Sequence, residues 1–267
     1  MIEISFLCSL LLFLAIGLSS MLKSRKTTED YLVAGKSIPA WLAGLSAVAT
    51  NNSGFMFIGM IGLTYATGLS SIWLMLGWIA GDLMASLLTL KPLHAASRAN
   101  NVHSYGELLA HWHGGENHGL RRLVGVLTLF FLTLYAAAQF KAGSKATSVL
   151  LEWDPTWGIL ISAGIVLLYS AAGGLRASIW TDAAQSIVML VGMTMLIAGG
   201  IELAGGWTLA LDKMDRVNVD FLGWFPDKDW IGIVLFIAGW VFGGFAVIGQ
   251  PHVVVRFISL KGESEIK

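Results

Sequence analysis

The chain has 267 residues, of which 55% are hydrophobic and 13% charged, and its mean hydropathy is +0.71. A soluble domain carries about 25% charged residues, so the composition excludes a disordered chain and argues against a soluble enzyme. Basic and acidic residues balance at 17 each and Cys8 is the single cysteine. That leaves no basic excess for nucleic acid, no intramolecular disulfide and no cysteine metal cluster.

Seven stretches have the length and apolarity of membrane spans, each about 20 residues. They fall at roughly 4–22, 40–65, 70–90, 123–140, 156–175, 183–201 and 230–252. The first lacks a basic leader and is followed by Lys23, Arg25 and Lys26, so it reads as a retained helix rather than a signal peptide. Between Pro39 and Lys91 the only charged side chain is Asp82, which gives room for two spans with a break near Thr67-Gly68-Leu69-Ser70-Ser71. Asp82 itself reads as lying shallow, toward one end of the third span.

The second span carries Thr50-Asn51-Asn52-Ser53-Gly54 in its middle. Polar residues at bilayer depth mark either an unwound helix whose carbonyls can hold a cation or hydrogen-bonding contacts between helices. The residues alone leave both readings open. The loop after the third span holds His111, His113, Glu116 and His118, without the fixed shell a metal needs. Asp182, after Trp180-Thr181, reads as the cap of the sixth span.

The seventh span is expected to break at Gly243-Gly244 and again at Gly249-Gln250-Pro251. It lies five spans after the second, so the two interrupted helices run in opposite directions. That is the pattern of an inverted-repeat transporter. Gly77-x-x-x-Gly81 and Gly239-x-x-x-Gly243 allow close helix approach. No phosphate loop, catalytic triad or metalloprotease motif occurs, so the chain is read as no enzyme.

Charge sets the expected orientation. With the first loop inside, inner segments hold 12 of the 17 basic residues, and outer ones hold Lys141, Lys145, Lys213, Arg216 and Lys228. The N-terminus is then outside and the C-terminus, with Lys267, inside. The outer loop 201–229 carries six acids, Asp227 among them.

Several ordered motifs resemble the sodium:solute symporter family. Asp30-Tyr-Leu-Val-Ala-Gly-Lys-Ser-Ile-Pro-Ala-Trp41 is similar to its first loop. Ser53-Gly54 sits where the family has a discontinuous helix. Tyr169-Ser-Ala-Ala-Gly-Gly-Leu-Arg-Ala177 and Ile179-Trp-Thr-Asp-Ala-Ala-Gln185 look like consecutive family motifs, with Ser170 where Thr, Ala or Val is usual. Gly249-Gln-Pro-His252 with Arg256-Phe257 resembles the sodium/proline branch.

The resemblance implies an all-α, polytopic, LeuT-type inverted-repeat fold. An extra N-terminal helix precedes the first repeat in spans two to six, and span seven opens the second. Residues 1–267 would form a partial symporter domain, about the N-terminal half, inactive alone and lacking its C-terminal half as partner. Carried over from the family, the carbonyls of Ala49 and Asn52 would hold sodium, with Asn51 nearby. Ser53, Gly54, Tyr135 and Trp240 would meet the solute. Asn51 stands where the proline branch has Asp, so an acceptor oxygen remains without its charge. The implied function is sodium-coupled symport of a small solute, such as the amino acid proline. Sodium is the coupling ion, there is no organic cofactor, and the protein is multi-pass in the cell inner or plasma membrane. The alternative is a symporter-like sensory module of a signalling histidine kinase; a third reading is a membrane subunit without transport.

Overall fold

The computed structural model describes residues 2–226 and 229–262. Asp227, Lys228 and Lys267, which enter the charge count above, lie outside the described residues. Those described are helical, apart from turns and one isolated bridge between Ile38 and Leu260.

In chain order the helices are α1 (Ile2–Ser19), α2 (Thr28–Val33), α3 (Ala40–Asn51), α4 (Gly54–Phe57), α5 (Gly59–Thr67) and α6 (Ile72–Ala99). Then follow α7 (Tyr105–Ala110), α8 (His118–Leu150), α9 (Pro155–Ala204), α10 (Trp207–Val217), α11 (Trp230–Phe245) and α12 (Pro251–Ile258). Side-chain oxygens start several of them by taking orphan amide protons. Thr27 caps α2, Ser104 α7, Asn117 α8 and Asp229 α11.

Among the described residues, five helical runs are long and apolar enough to cross a membrane: 2–23, 54–99, 118–150, 155–204 and 230–249. Their large apolar side chains point outward; Leu129 is 73% exposed and Leu167 69%. Such faces suit lipid rather than water. The seven expected stretches map onto these runs with three differences. The stretch 40–65 is broken into α3, α4 and α5, because Asn52 and Ser53 leave the helix and Ile58 turns. The stretches 156–175 and 183–201 fall in one helix, α9, with no loop between them. At 50 residues a straight α9 would measure about 75 Å, more than twice a hydrocarbon core. It is divided instead at Gly174, with φ 56° and ψ −143°. A Cβ there would collide with the Tyr31 carbonyl, so only glycine fits. Finally, α8 runs on past residue 140, so Lys141 and Lys145 are helical rather than in a loop.

Two compact units divide the chain. The first comprises 1–54, 89–186 and 249–267. Its core has two clusters. Val33, Val102, Leu108, Val254 and Ile258 pack in one, and Ala34, Ile38, Ala43, Ile179 and Leu260 in the other.

The second unit comprises 55–88 and 187–248. Here α6 and α11 approach backbone to backbone. A Cβ on Gly81 would strike the Val241 carbonyl, and one on Gly244 the Trp78 carbonyl. Gly243 and Gly244 therefore do not interrupt the seventh span as expected; α11 is continuous through both. They are small because α6 passes there. Gly239 has nothing within 4 Å, so of the Gly239-x-x-x-Gly243 pair only Gly243, beside the Trp78 ring, is at the contact. Trp73 Nε1 donates to the Trp224 carbonyl at 2.8 Å and its ring stacks on Phe225. Asp82 accepts from Ser86 Oγ at 3.3 Å.

Candidate functional site

The polar cluster of the second span is where the helix stops. Asn52 ends α3 with φ −79° and ψ 70°, and Ser53 lies outside any helix before α4 begins at Gly54. The turn is closed by its own backbone: Asn52 N–H donates to Val48 O at 2.9 Å and Ser53 N–H to Asn51 O at 3.0 Å. Helix ends leave amide and carbonyl groups that need partners. The N–H of Gly54 finds one in Gln139 Oε1 of α8, at 2.7 Å. Gly54 must be small, since a Cβ would stand 2.8 Å from that of Ala142.

One turn earlier in α8, Tyr135 is hydrogen-bonded by Ser53. Its ring centroid is 5.2 Å from that of His252. The structure thus gathers Ser53, Gly54 and Tyr135, three of the residues expected to meet the solute. It adds Gln139 and His252, which sequence reading did not single out. Ala49, Asn51 and Asn52 flank the same break in α3. Trp240 belongs to the other unit. There it lies against Gly77 and edge-on to Phe236, 6.2 Å away, and its buried Nε1 has no hydrogen-bond partner among the described residues.

The second break, at Gly249-Gln250-Pro251, falls as expected. Gln250 is extended (φ −95°, ψ 105°) and Pro251 opens α12, where its missing N–H costs nothing. This turn and α8 line a cavity of about 470 Å³, with Leu127, Phe131, Tyr135, Gln250, Pro251 and His252 on its walls. Both imidazole nitrogens of His252 are buried and without a partner among the described residues.

Asp182 is no helix cap. It sits inside α9, far from its start at Pro155. Its Oδ2 accepts from Arg256 Nη2 at 2.7 Å, Ser46 Oγ at 2.7 Å and Ser178 Oγ at 3.3 Å. The expectation failed because the helix that follows the Gly174 break begins about two turns earlier, which leaves Asp182 in its interior. A buried carboxylate needs an opposite charge and donors, and Arg256 with two serines supplies them.

A second ion pair joins Asp30 to Arg176 beside the first loop. Arg176 Nη2 also reaches the Ala34 carbonyl at 2.8 Å. Burial pushes the Asp30 carboxyl up, but the Arg25 amide, Arg176 and Ser24 together hold it below its ordinary 3.8.

Interrupted helices whose freed backbone groups are satisfied by neighbouring side chains, beside a cavity, are the pattern found in the class of secondary transporters. The comparisons agree. A solved structure titled as the substrate-bound, outward-open state of a Na+-coupled sialic acid symporter matches with a TM-score of 0.69. It is 20% identical and covers 97% of this chain and 54% of its own. The fold is thus all-α and LeuT-type. The sodium:solute symporter family profile matches residues 31–267, and the chain belongs to that family. Sodium/proline symporters of Staphylococcus aureus strains JH9 and NCTC 8325 are each 29% identical over 254 residues, 94% of this chain and 48% of theirs. The chain spans about half the length of the curated relatives it matches. Family and apolar helices together make it a multi-pass membrane protein.

Proposed function

We propose that these residues form the first-repeat half of a sodium-coupled symporter for a small organic solute, with proline the favoured substrate. The observation that carries this is the Asn52-Ser53 break, held open by Gln139 and Tyr135 of α8. An unwound segment at bilayer depth presents backbone carbonyls, which are hard oxygen ligands for an alkali cation. In this reading Ala49 and Asn52 contribute such carbonyls and the Asn51 amide lies close by. Ser53, Gly54, Tyr135 and Trp240 meet the solute. The apolar cavity beside Tyr135 suits an aliphatic ring, and His252 offers an N–H to a carboxylate or a ring lone pair to an imino N–H. The sialic acid named for the structural neighbour is a larger, more polar solute; the 29% identity to sodium/proline symporters favours the smaller one. The N-terminus lies outside and residues 23–36 inside, in the inner or plasma membrane.

The test uses liposomes containing residues 1–267 co-assembled with the matching C-terminal half of the Staphylococcus aureus symporter. An inward sodium gradient should drive accumulation of radiolabelled L-proline, and a sodium ionophore should abolish it. Uptake indifferent to sodium overturns the coupling. Preference for another solute overturns proline. Within that assembly, Asn51→Asp should lower the sodium concentration at half-maximal uptake, because a carboxylate adds charge in a low-dielectric site.

A further inference from the structure

Three consecutive residues after α2 lie in the left-handed region: Ala34 at φ 52°, Gly35 at 61° and Lys36 at 48°. Glycine tolerates this, but for Ala34 and Lys36 it costs free energy. Such strain persists only where surrounding contacts over-determine it, and it marks segments that switch. Here the contacts are dense. Ala34 and Ile38 are buried against Ile179 and Leu260. Arg176 holds the Ala34 carbonyl at 2.8 Å. Ile38 N–H donates to Ser259 O at 3.1 Å, and Lys261 N–H returns to Ile38 O at 2.9 Å. Segment 259–261, directly after α12, is thus laced to residue 38.

The polar tie to the end of α6 centres on one guanidinium, beside His94 Nε2, 3.5 Å from the Leu260 carbonyl, and the packing of Leu93 and Ala96 against the cluster that holds Val254 and Ile258. Arg98, in the last turn of α6, directs Nη2 at three carbonyls: Lys36 and Lys261, each at 3.0 Å, and Leu260. That nitrogen carries two hydrogens, so one of the three acceptors is always under-served. Lys36 Nζ, buried like its backbone, reaches Asn101 Oδ1 at 3.1 Å, just past the same helix end. An over-subscribed donor facing a strained loop is easily traded between partners.

We propose that residues 34–38 are a sprung strap and Arg98 its catch. With Arg98 engaged, segment 259–261 and the end of α12 are fastened to the end of α6. When Arg98 lets go, Ala34 and Lys36 relax out of the left-handed region and the lacing between Ile38 and 259–261 parts. Its place in transport rests on the reading above, in which these segments face the cytoplasm and the strap closes the inner side.

The test replaces Ile38 and Leu260, the bridge partners, with cysteine in a Cys8→Ser background and follows their oxidative cross-linking in membranes. Arg98→Ala should slow cross-linking about tenfold or more, the factor for losing a hydrogen bond to a charged group. Arg98→Lys should fall between. Ala34→Gly removes the strain of the fastened state, so it should speed cross-linking by itself and restore part of the rate in Arg98→Ala. A fixed structural loop behaves otherwise: Ala34→Gly would raise the thermal midpoint and leave cross-linking untouched. That result, or an unchanged rate in Arg98→Ala, overturns the strap. If Arg98→Ala fails to fold, Ala34→Gly alone decides. Cross-linking needs neither sodium nor solute, so the strap and the transport reading can fail separately.

Discussion

Arg256 and Asp182 are joined twice. Nη2 donates to the carboxylate at 2.7 Å, and Ser46 Oγ bridges them, accepting from Arg256 Nε at 2.6 Å and donating to Asp182 at 2.7 Å. The pair ties α12 to α9 through α3, four residues before Thr50 and the helix break. Arg256 is 6% exposed and Asp182 15%. Removing one partner strands a buried charge, at a cost of about 3–5 kcal/mol, whereas replacing both by apolar groups is often neutral. Arg256→Met should therefore sharply lower the thermal midpoint in detergent, and Arg256→Met with Asp182→Leu should recover most of the loss. Additive losses in this double-mutant cycle would mean the two residues act independently.

Gln139 supports the break from the other side. Its Oε1 takes the Gly54 N–H that α4 leaves without a partner. Gln139→Leu keeps the bulk and removes the acceptor. An unsatisfied buried donor costs about 1–3 kcal/mol, so unfolding in denaturant should shift by that amount. Exchange of the Gly54 amide with deuterium should speed up in parallel. Unchanged exchange would place another acceptor at Gly54.

How much of this was legible beforehand follows from the kind of signal each feature leaves. The polar cluster around Asn52-Ser53 was visible because polar side chains stand out in an apolar run, but whether it breaks the helix or joins it to a neighbour was settled only by the backbone. The break at Gln250 was visible because proline cannot continue a helix. Gly243-Gly244 misled: the same residues serve a kink and a close helix contact, and only the position of α6 decides between them. Asp182 misled because its partner is 74 residues away, and separation in sequence says nothing of that. Gln139 carried no signal at all. A glutamine near the end of an expected span looks like an interfacial residue until the Gly54 amide is seen beside it. Gly174, the divider of α9, lay within a quoted family motif, but its positive φ is a property of the backbone alone.

Asp30 makes the fold sensitive to acid. Its carboxyl is held below its ordinary 3.8; burial opposes this, and the Arg25 amide, Arg176 and Ser24 outweigh it. A carboxylate depressed in the folded state contributes stability above its unfolded value and loses it as pH falls through the folded one. The thermal midpoint should thus drop as pH is lowered through and below about 3.8. Asp30→Asn should be less stable near neutral pH and should show a smaller drop over the same range. Parallel pH curves for the two proteins would show that the Asp30–Arg176 pair contributes nothing to acid sensitivity.

In the second unit, packing predicts opposite outcomes for neighbouring glycines. A side chain on Gly244 would run into the Trp78 backbone, while Gly239 faces open space. Gly244→Leu should force α6 and α11 apart, reduce the yield of folded protein and lower the midpoint by several degrees. Gly239→Leu should leave both unchanged. Equal tolerance at the two positions would remove the close α6–α11 crossing.

Residues 1–267 by themselves are expected to bind into membranes without transporting. Alternating access needs one repeat to rock against another around a shared site, and the relatives this chain matches are about twice as long. At the sodium site proposed above, the carbonyls of Ala49 and Asn52 alone would offer the ion fewer oxygens than the water it gives up, so its dehydration would stay uncompensated. The cavity by Tyr135 and His252 likewise retains two imidazole nitrogens without partners among the described residues. Reconstituted alone under an inward sodium gradient, the chain should accumulate no labelled proline above empty liposomes. Addition of the matching C-terminal half should switch accumulation on. Gradient-driven uptake by the chain alone, abolished by a sodium ionophore, would sink this expectation. It would mean that two copies complete one another's sites, and uptake should then rise with the square of protein density in the liposome.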